Sequence, residues 1–138
     1  MNPLYNLVQY LRDSFPGESF YCNQQENTAL QVTLPDRCAS VRQTGGPVQP
    51  WTKYTQVTCQ ILVRDLDTPA AEKFAKDIYD LLNGRFGLIL PDALNVGGVD
   101  YIAPTTAQIS AIQFPYCLGQ DSAGRTSFTT NYKIIFEE

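Results

Sequence analysis

Tyr54-Thr55-Gln56-Val57-Thr58-Cys59-Gln60-Ile61-Leu62-Val63-Arg64-Asp65 carries the strongest periodic signal in the chain. Thr55, Val57, Cys59, Ile61 and Val63 fall on one face of an extended backbone, and Gln56, Thr58, Gln60 and Arg64 fall on the other. Leu62 is the exception on the polar face. Alternation of period two predicts a half-buried strand. Directly after it, Asp67 or Thr68 stands as an N-cap with Pro69 in the first helical turn, where a missing N–H costs nothing. Ala71, Phe74, Ala75, Ile78, Leu81 and Leu82 then make an apolar stripe, with Glu72, Lys73, Lys76, Asp77 and Asp80 outside it. Asn83-Gly84 supplies the C-terminal cap.

Toward the N-terminus, Thr44-Gly45-Gly46-Pro47-Val48-Gln49-Pro50 forbids regular structure and predicts a loop joining two strands, with Trp51 and Tyr54 at its far end. Before it, Cys38 to Gln43 is a second strand. Ala29 to Leu34 alternates as another, with Pro35-Asp36 turning the chain between them. Phe20 and Tyr21 begin a short strand. Leu4, Leu7, Val8 and Leu11 repeat at i, i+3, i+4 and i+7, the stripe of an amphipathic helix opened by Asn2 and Pro3 and closed by Phe15-Pro16-Gly17. Tyr5 and Tyr10 lie off or beside that stripe, either half-buried or facing a partner.

Toward the C-terminus, Phe86 to Pro91 is a short strand and Leu94 to Val99 a loop turning at Gly97-Gly98. Thr105 to Phe114 is a strand, Leu118 to Gly124 a turn-rich tip, and Arg125 to Phe136 a final strand forming a hairpin with the one before it. The sum is one α+β domain over residues 1–138. It is expected to hold a mostly antiparallel sheet of about five or six strands with two helices packed on one face.

Charged residues make up only 17% of the 138 residues, and the net charge is −4. The surface is therefore covered largely by Thr, Gln, Asn and Ser, which suits either a polar uncharged surface or one buried in an assembly. No basic run exists to neutralise phosphates, so sequence-specific or tight nucleic-acid binding is not expected. The start, Met1-Asn2-Pro3-Leu4, lacks a basic signal-peptide region, and no apolar run is long enough to span a bilayer. A chain made in the cytosol is the expectation, with Cys22, Cys38, Cys59 and Cys117 as buried hydrophobes or free thiols.

There is no histidine, which removes the commonest general base and metal ligand and rules out Ser-His-Asp and Cys-His arrangements. The phosphate-cradling glycine loop is absent, and no two cysteines are spaced to grip zinc. Asp65 and Asp67 at a strand end, and Asp77 and Asp80 on one side of a helix, are the only paired carboxylates to weigh for acid–base work. Helix-start acids and a solvated face account for them better. Neither an enzyme, a cofactor nor a metal is expected. Trp51 and Tyr54 after the Gly-Pro loop are candidates for an aromatic contact patch.

One resemblance covers most of the chain. Ser40-Val41-Arg42-Gln43-Thr44-Gly45-Gly46, then Gln56 to Asp65, the helix Ala70 to Asn83, Gln113-Phe114-Pro115-Tyr116, Gly119-Gln120-Asp121 and Gly124-Arg125 resemble the tail-terminator or minor capsid (head–tail joining) group of long-tailed bacteriophages. The resemblance implies a homo-oligomeric ring, hexameric, which caps the tail tube, stops its polymerisation and meets the neck or head-completion protein. Genome DNA passes through the lumen unread, and no membrane is involved. It also implies contact segments at Gly45, Gly46, Trp51 and Tyr54 and at Gln120, Asp121 and Arg125, with Arg64 and Asp65 pairing across a subunit boundary or, in the plainer case, within the chain. Its location would be the tail–neck region of the virion. A head-side neck connector ring, or a small ligand-binding regulatory domain, are the alternatives.

Overall fold

Alternation along the central strand places the core. The computed structural model describes residues 3–22, 34–45, 54–96 and 99–137. In β3 (Tyr54–Asp65), Val57, Cys59, Ile61 and Val63 are all buried. β3 pairs antiparallel along its whole length with β9 (Thr126–Glu137), Tyr54 opposite Glu137 and Asp65 opposite Thr126. That register sets Ile61 beside Thr130 and Cys59 beside Tyr132, so both strands turn their buried residues the same way.

On the other side of β3 lies β2 (Cys38–Gly45), antiparallel, and beyond it β1 (Phe20–Cys22), which is parallel to β2. Beyond β9 come β7 (Thr105–Ala111) and β4 (Arg85–Leu90), both antiparallel, while β8 (Tyr116–Gln120) shares the β9 edge with β7. Among the described residues the main sheet therefore has seven strands, ordered β1-β2-β3-β9-β7-β4 with β8 on β9, and β5 (Ala93–Val96) pairs with β6 (Val99–Ile102) as a separate hairpin.

Two helices complete the α+β architecture. In α1 (Pro3–Ser14) the stripe Leu4, Leu7, Val8 and Leu11 is fully buried. In α2 (Thr68–Leu82) Ala71, Phe74, Ala75, Ile78 and Leu82 are buried, and Ala75 and Ile78 line a seam with Ile61, Val63, Thr130 and Tyr132. Phe20 meets Phe74 edge-on at 5.6 Å between ring centroids, and Phe15 at the end of α1 touches both rings. Such aromatic contacts add to the area they bury. Gly84, with φ +77, reverses the chain after α2 in a conformation that glycine adopts without strain.

Several expectations need correcting. Leu94 to Val99 is not a loop, because β5 and β6 occupy its two sides, Gly97-Gly98 lying outside the described residues. The tip expected at Leu118 begins only after β8, so the tight hairpin is β8–β9, and the strand from Thr105 stops at Ala111 rather than Phe114. The six-strand path of the main sheet agrees with an expected five or six strands, and the short β8 adds a seventh by pairing with the long β9. Asp67 holds the N-cap position of α2 but makes no side-chain cap bond. The strand expected over Ala29 to Leu34 lies outside the described residues except for Leu34.

One buried polar residue clips α1 to the hairpin. Asn6 is fully buried, and its Nδ2 donates to Pro91 O at 2.9 Å and to Ala103 O at 2.8 Å, one carbonyl on each side of the β5–β6 base. An isolated two-stranded hairpin is marginal in water, so this tie matters. Asn6→Ala is expected to lower unfolding free energy by about 1–3 kcal/mol, read from urea denaturation followed by circular dichroism.

Candidate functional site

The residues singled out in the sequence separate to opposite ends of β3. Gly45 (φ +116) closes β2 opposite Thr58, after a register shift, and Tyr54 opens β3 near that same end. Gly46 and Trp51 lie outside the described residues. Arg64, Asp65, Gln120, Asp121 and Arg125 gather at the other end, where β3 finishes and β9 starts. Thr126 pairs in register with both Asp65 and Gln120.

A charged cluster organises that second end, and its centre is a residue the sequence reading did not single out. Arg37 grips Glu18 through Nε–Oε2 at 2.8 Å and Nη2–Oε1 at 3.0 Å, and Asp65 through Nη1–Oδ2 at 2.8 Å. Its guanidinium also lies 4.8 Å from the centroid of the Phe74 ring. The paired carboxylates of Glu18, most strongly, and of Asp65 push the Arg37 pKa upward. Burial alone would raise the Asp65 carboxyl, but hydrogen bonds from Arg37 and from the Asp67 and Leu66 backbone outweigh it and hold the pKa below the usual range. Arg64 is buried and donates to Leu34 O and Pro35 O, each at 2.8 Å from Nη2. At the tip, Asp121 accepts the backbone N–H of Ala123 and of Arg125 and the Arg125 Nε at 2.8 Å, and these bonds, the Arg125 N–H foremost, lower its pKa. Arg125 also lies 3.6 Å from Asp36, and Gln120 donates to Thr126 Oγ1.

Both oxygens of Asp65 are engaged, Oδ2 by Arg37 and Oδ1 by the N–H of Asp67. A carboxylate held ionised by a fixed cation is a poor general base, so the cluster ties strand ends together rather than doing acid–base work. On α2, Asp77 and Asp80 pair with Lys73 and Lys76 on the solvent side. Among the described residues no group of His, Cys, Asp and Glu is placed to hold a metal ion, and no helix is long and apolar enough to cross a membrane.

The surface that departs from an ordinary one is the far edge of the sheet. Phe86 and Ile89 on β4 are 76% and 70% exposed, and Ile112, Phe114, Tyr116 and Leu118 stand exposed along the segment entering β8. β8 carries no charged residue. Large apolar side chains concentrated on an edge mark contact surfaces. Both edge strands are bulged, between Arg85 and Leu88 and between Cys117 and Gly119, which blunts backbone pairing and leaves side chains as the means of contact. Among the described residues the opposite edge is β1, with three residues, where Arg12 Nη2 donates to the Phe20 carbonyl at 2.8 Å. The apolar edge escaped the sequence reading because β8 and the bulges hide the alternation.

No family model and no curated protein matches this sequence. Seven chains of solved structures match it. One of them, at 12% identity and a TM-score of 0.52, covers 96% of this chain and 89% of its own, a likeness of fold alone.

Arg64→Glu sets a carboxylate against two carbonyl oxygens and is expected to destabilise the monomer by about 3–5 kcal/mol, seen as a lower urea midpoint. The folded pKa of Asp65 lies below its unfolded value, so its contribution is complete above about pH 4 and is lost as pH falls through the folded value. Asp65→Asn should therefore flatten the acid limb of a plot of urea midpoint against pH.

Proposed function

We propose that this chain is a structural virion protein, a tail terminator of a long-tailed bacteriophage, whose copies form a hexameric ring in the tail–neck region. The ring caps the tail tube, halts its growth and receives the neck protein, and DNA passes through its lumen. The reading starts from the sequence resemblance. The observation that carries it is the inequality of the two sheet edges among the described residues: one rich in exposed apolar side chains at β4 and β8, with Arg85 its one charge, the other the three-residue β1 with Arg12 on its Phe20 carbonyl. A ring needs two different surfaces on each subunit, since head-to-tail contact closes a circle only when unlike faces meet. Placement of both helices on one face of the sheet belongs to the same reading and is supported by the meeting of Phe15, Phe20 and Phe74. The charged residues of the other end are already bonded within the chain, which makes the apolar edge the better contact surface.

The decisive experiment is electron microscopy of a lysate from phage carrying a stop codon in this gene. Over-long tails free of filled heads are the expected result. Detached tails of normal length would assign the ring to the head side of the neck, and intact virions would sink both readings. In the purified protein, Phe86→Lys and Ile89→Lys should abolish rings seen by negative stain while shifting monomer stability by no more than about 0.5 kcal/mol.

A further inference from the structure

The face of the sheet turned away from α2 carries two cations that no described acid of the chain neutralises. α2 lies on the face that holds Ile61, Val63 and Tyr132, where Ala75 and Ile78 pack. By register and alternation, Arg42 opposite Gln60, Lys133 opposite Thr58, Ile89 opposite Thr106 and Tyr116 opposite Thr129 point the other way. Ile89 is 70% and Tyr116 46% exposed, so solvent reaches this face. Arg42 and Lys133 stand half-buried in it. Among the described residues no carboxylate pairs with either, and the Arg42 Nε is buried without an acceptor.

A surface of the opposite sign stands on the helix side. Leu66, between β3 and α2, is 53% exposed. Beside it Asp67 holds the N-cap position without a side-chain cap bond, and Glu72 is exposed in α2 itself. Among the described residues neither acid has a cation partner, whereas Asp77 and Asp80 further along α2 have Lys73 and Lys76. Phe74 meets Phe20, so this part of α2 stands on the β1 side of the molecule, away from β4. One side of the chain thus presents apolar side chains with unpaired cations, and the other an apolar side chain with unpaired acids. The sheet lies between them, so a single copy cannot bring the two together.

We infer that the sheet face of one copy, at Arg42 and Lys133, receives the start of α2 from the next copy, at Asp67 and Glu72, with Leu66 laid against the exposed apolar side chains of that face. Charge complementarity makes a second copy the occupant, and the two unlike surfaces lie on opposite sides of the subunit, as head-to-tail contact requires. Charges set across such a boundary fix partner and register more than they add affinity. The inference rests on the homo-oligomer of the ring reading and names the two surfaces that meet in it. Ile89 and Tyr116 make this face continuous with the apolar edge at β4 and β8.

Sedimentation velocity of the full chain over a range of concentrations reads the contact. At about 0.1 M salt the Debye length is about 10 Å, so the charges of one patch act together. The native chain is expected to associate. Lys133→Glu and Glu72→Lys should each weaken association by about tenfold, with unaltered circular dichroism spectra. The chain carrying both substitutions keeps its net charge and should regain native association, because opposite signs meet again. If that chain fails to fold, an equimolar mixture of the two single variants takes its place and should associate where neither does alone. Single variants that associate like the native chain, or a combined chain or mixture as weak as they are, overturn the contact. A native chain that stays monomeric overturns it too, and binding of duplex DNA lost in Lys133→Glu would then assign the face to a polyanion. Tail length in the stop-codon lysate decides the ring reading separately.

Discussion

Every other element is placed by the antiparallel ladder between β3 and β9, which runs from Tyr54 opposite Glu137 to Asp65 opposite Thr126. Its register makes Val57, Cys59, Ile61 and Val63 share a side with Phe128, Thr130, Tyr132 and Ile134, and a slip of one residue would turn one of those sets toward the opposite face. The Tyr132 hydroxyl, deep beside Cys59, has its pKa driven upward by burial. α2 follows from the ladder, because β3 delivers the chain to its first turn and Ala75 and Ile78 close over the strands just formed.

The two ends and two edges of that sheet use different physics. At the Asp65 end, ion pairs of Arg37 and Arg125 and the bonds of Arg64 to backbone carbonyls join segments remote in sequence: the turn after α1, the entry to β2, the end of β3 and the β8–β9 tip. Arg37 lies with its cationic plane near an aromatic ring, a site where lysine would not substitute equally. At the β4 and β8 edge there is little charge and much exposed apolar surface. Register shifts in both strands turn that edge away from simple strand addition and leave side chains as its main exposed surface. The arginine cluster at one end is thus engaged within the chain, while the apolar side chains along one edge remain in solvent.

Local patterns were enough for both helices and for β2, β3, β4, β7 and β9. Leu4, Leu7, Val8 and Leu11, like Ala71 to Leu82, bury the stripe that their spacing announces. Asn83-Gly84 ends α2, and Asp77 and Asp80 pair with lysines on its solvent face, as helix rules dictate. β5, β6 and β8 were not legible, because segments of four or five residues carry too few positions to display a period.

What the sequence by itself determined was the set of amphipathic pieces and the absence of histidine; it read all four cysteines alike as buried hydrophobes or free thiols, and only the structure separates the buried Cys22, Cys38 and Cys59 from the exposed Cys117. The first two depend on residue type and near spacing. Only the tertiary structure decided that Asn6 clips the β5–β6 hairpin, that Glu18, Arg37, Asp65 and Phe74 meet, and that Phe86, Ile89 and Tyr116 remain in solvent. An arginine's spacing within its own segment says nothing about which distant carboxylate lies within reach. An apolar side chain of a strand is buried or exposed according to what packs over its face of the sheet, and that is settled by the assembly of the whole fold.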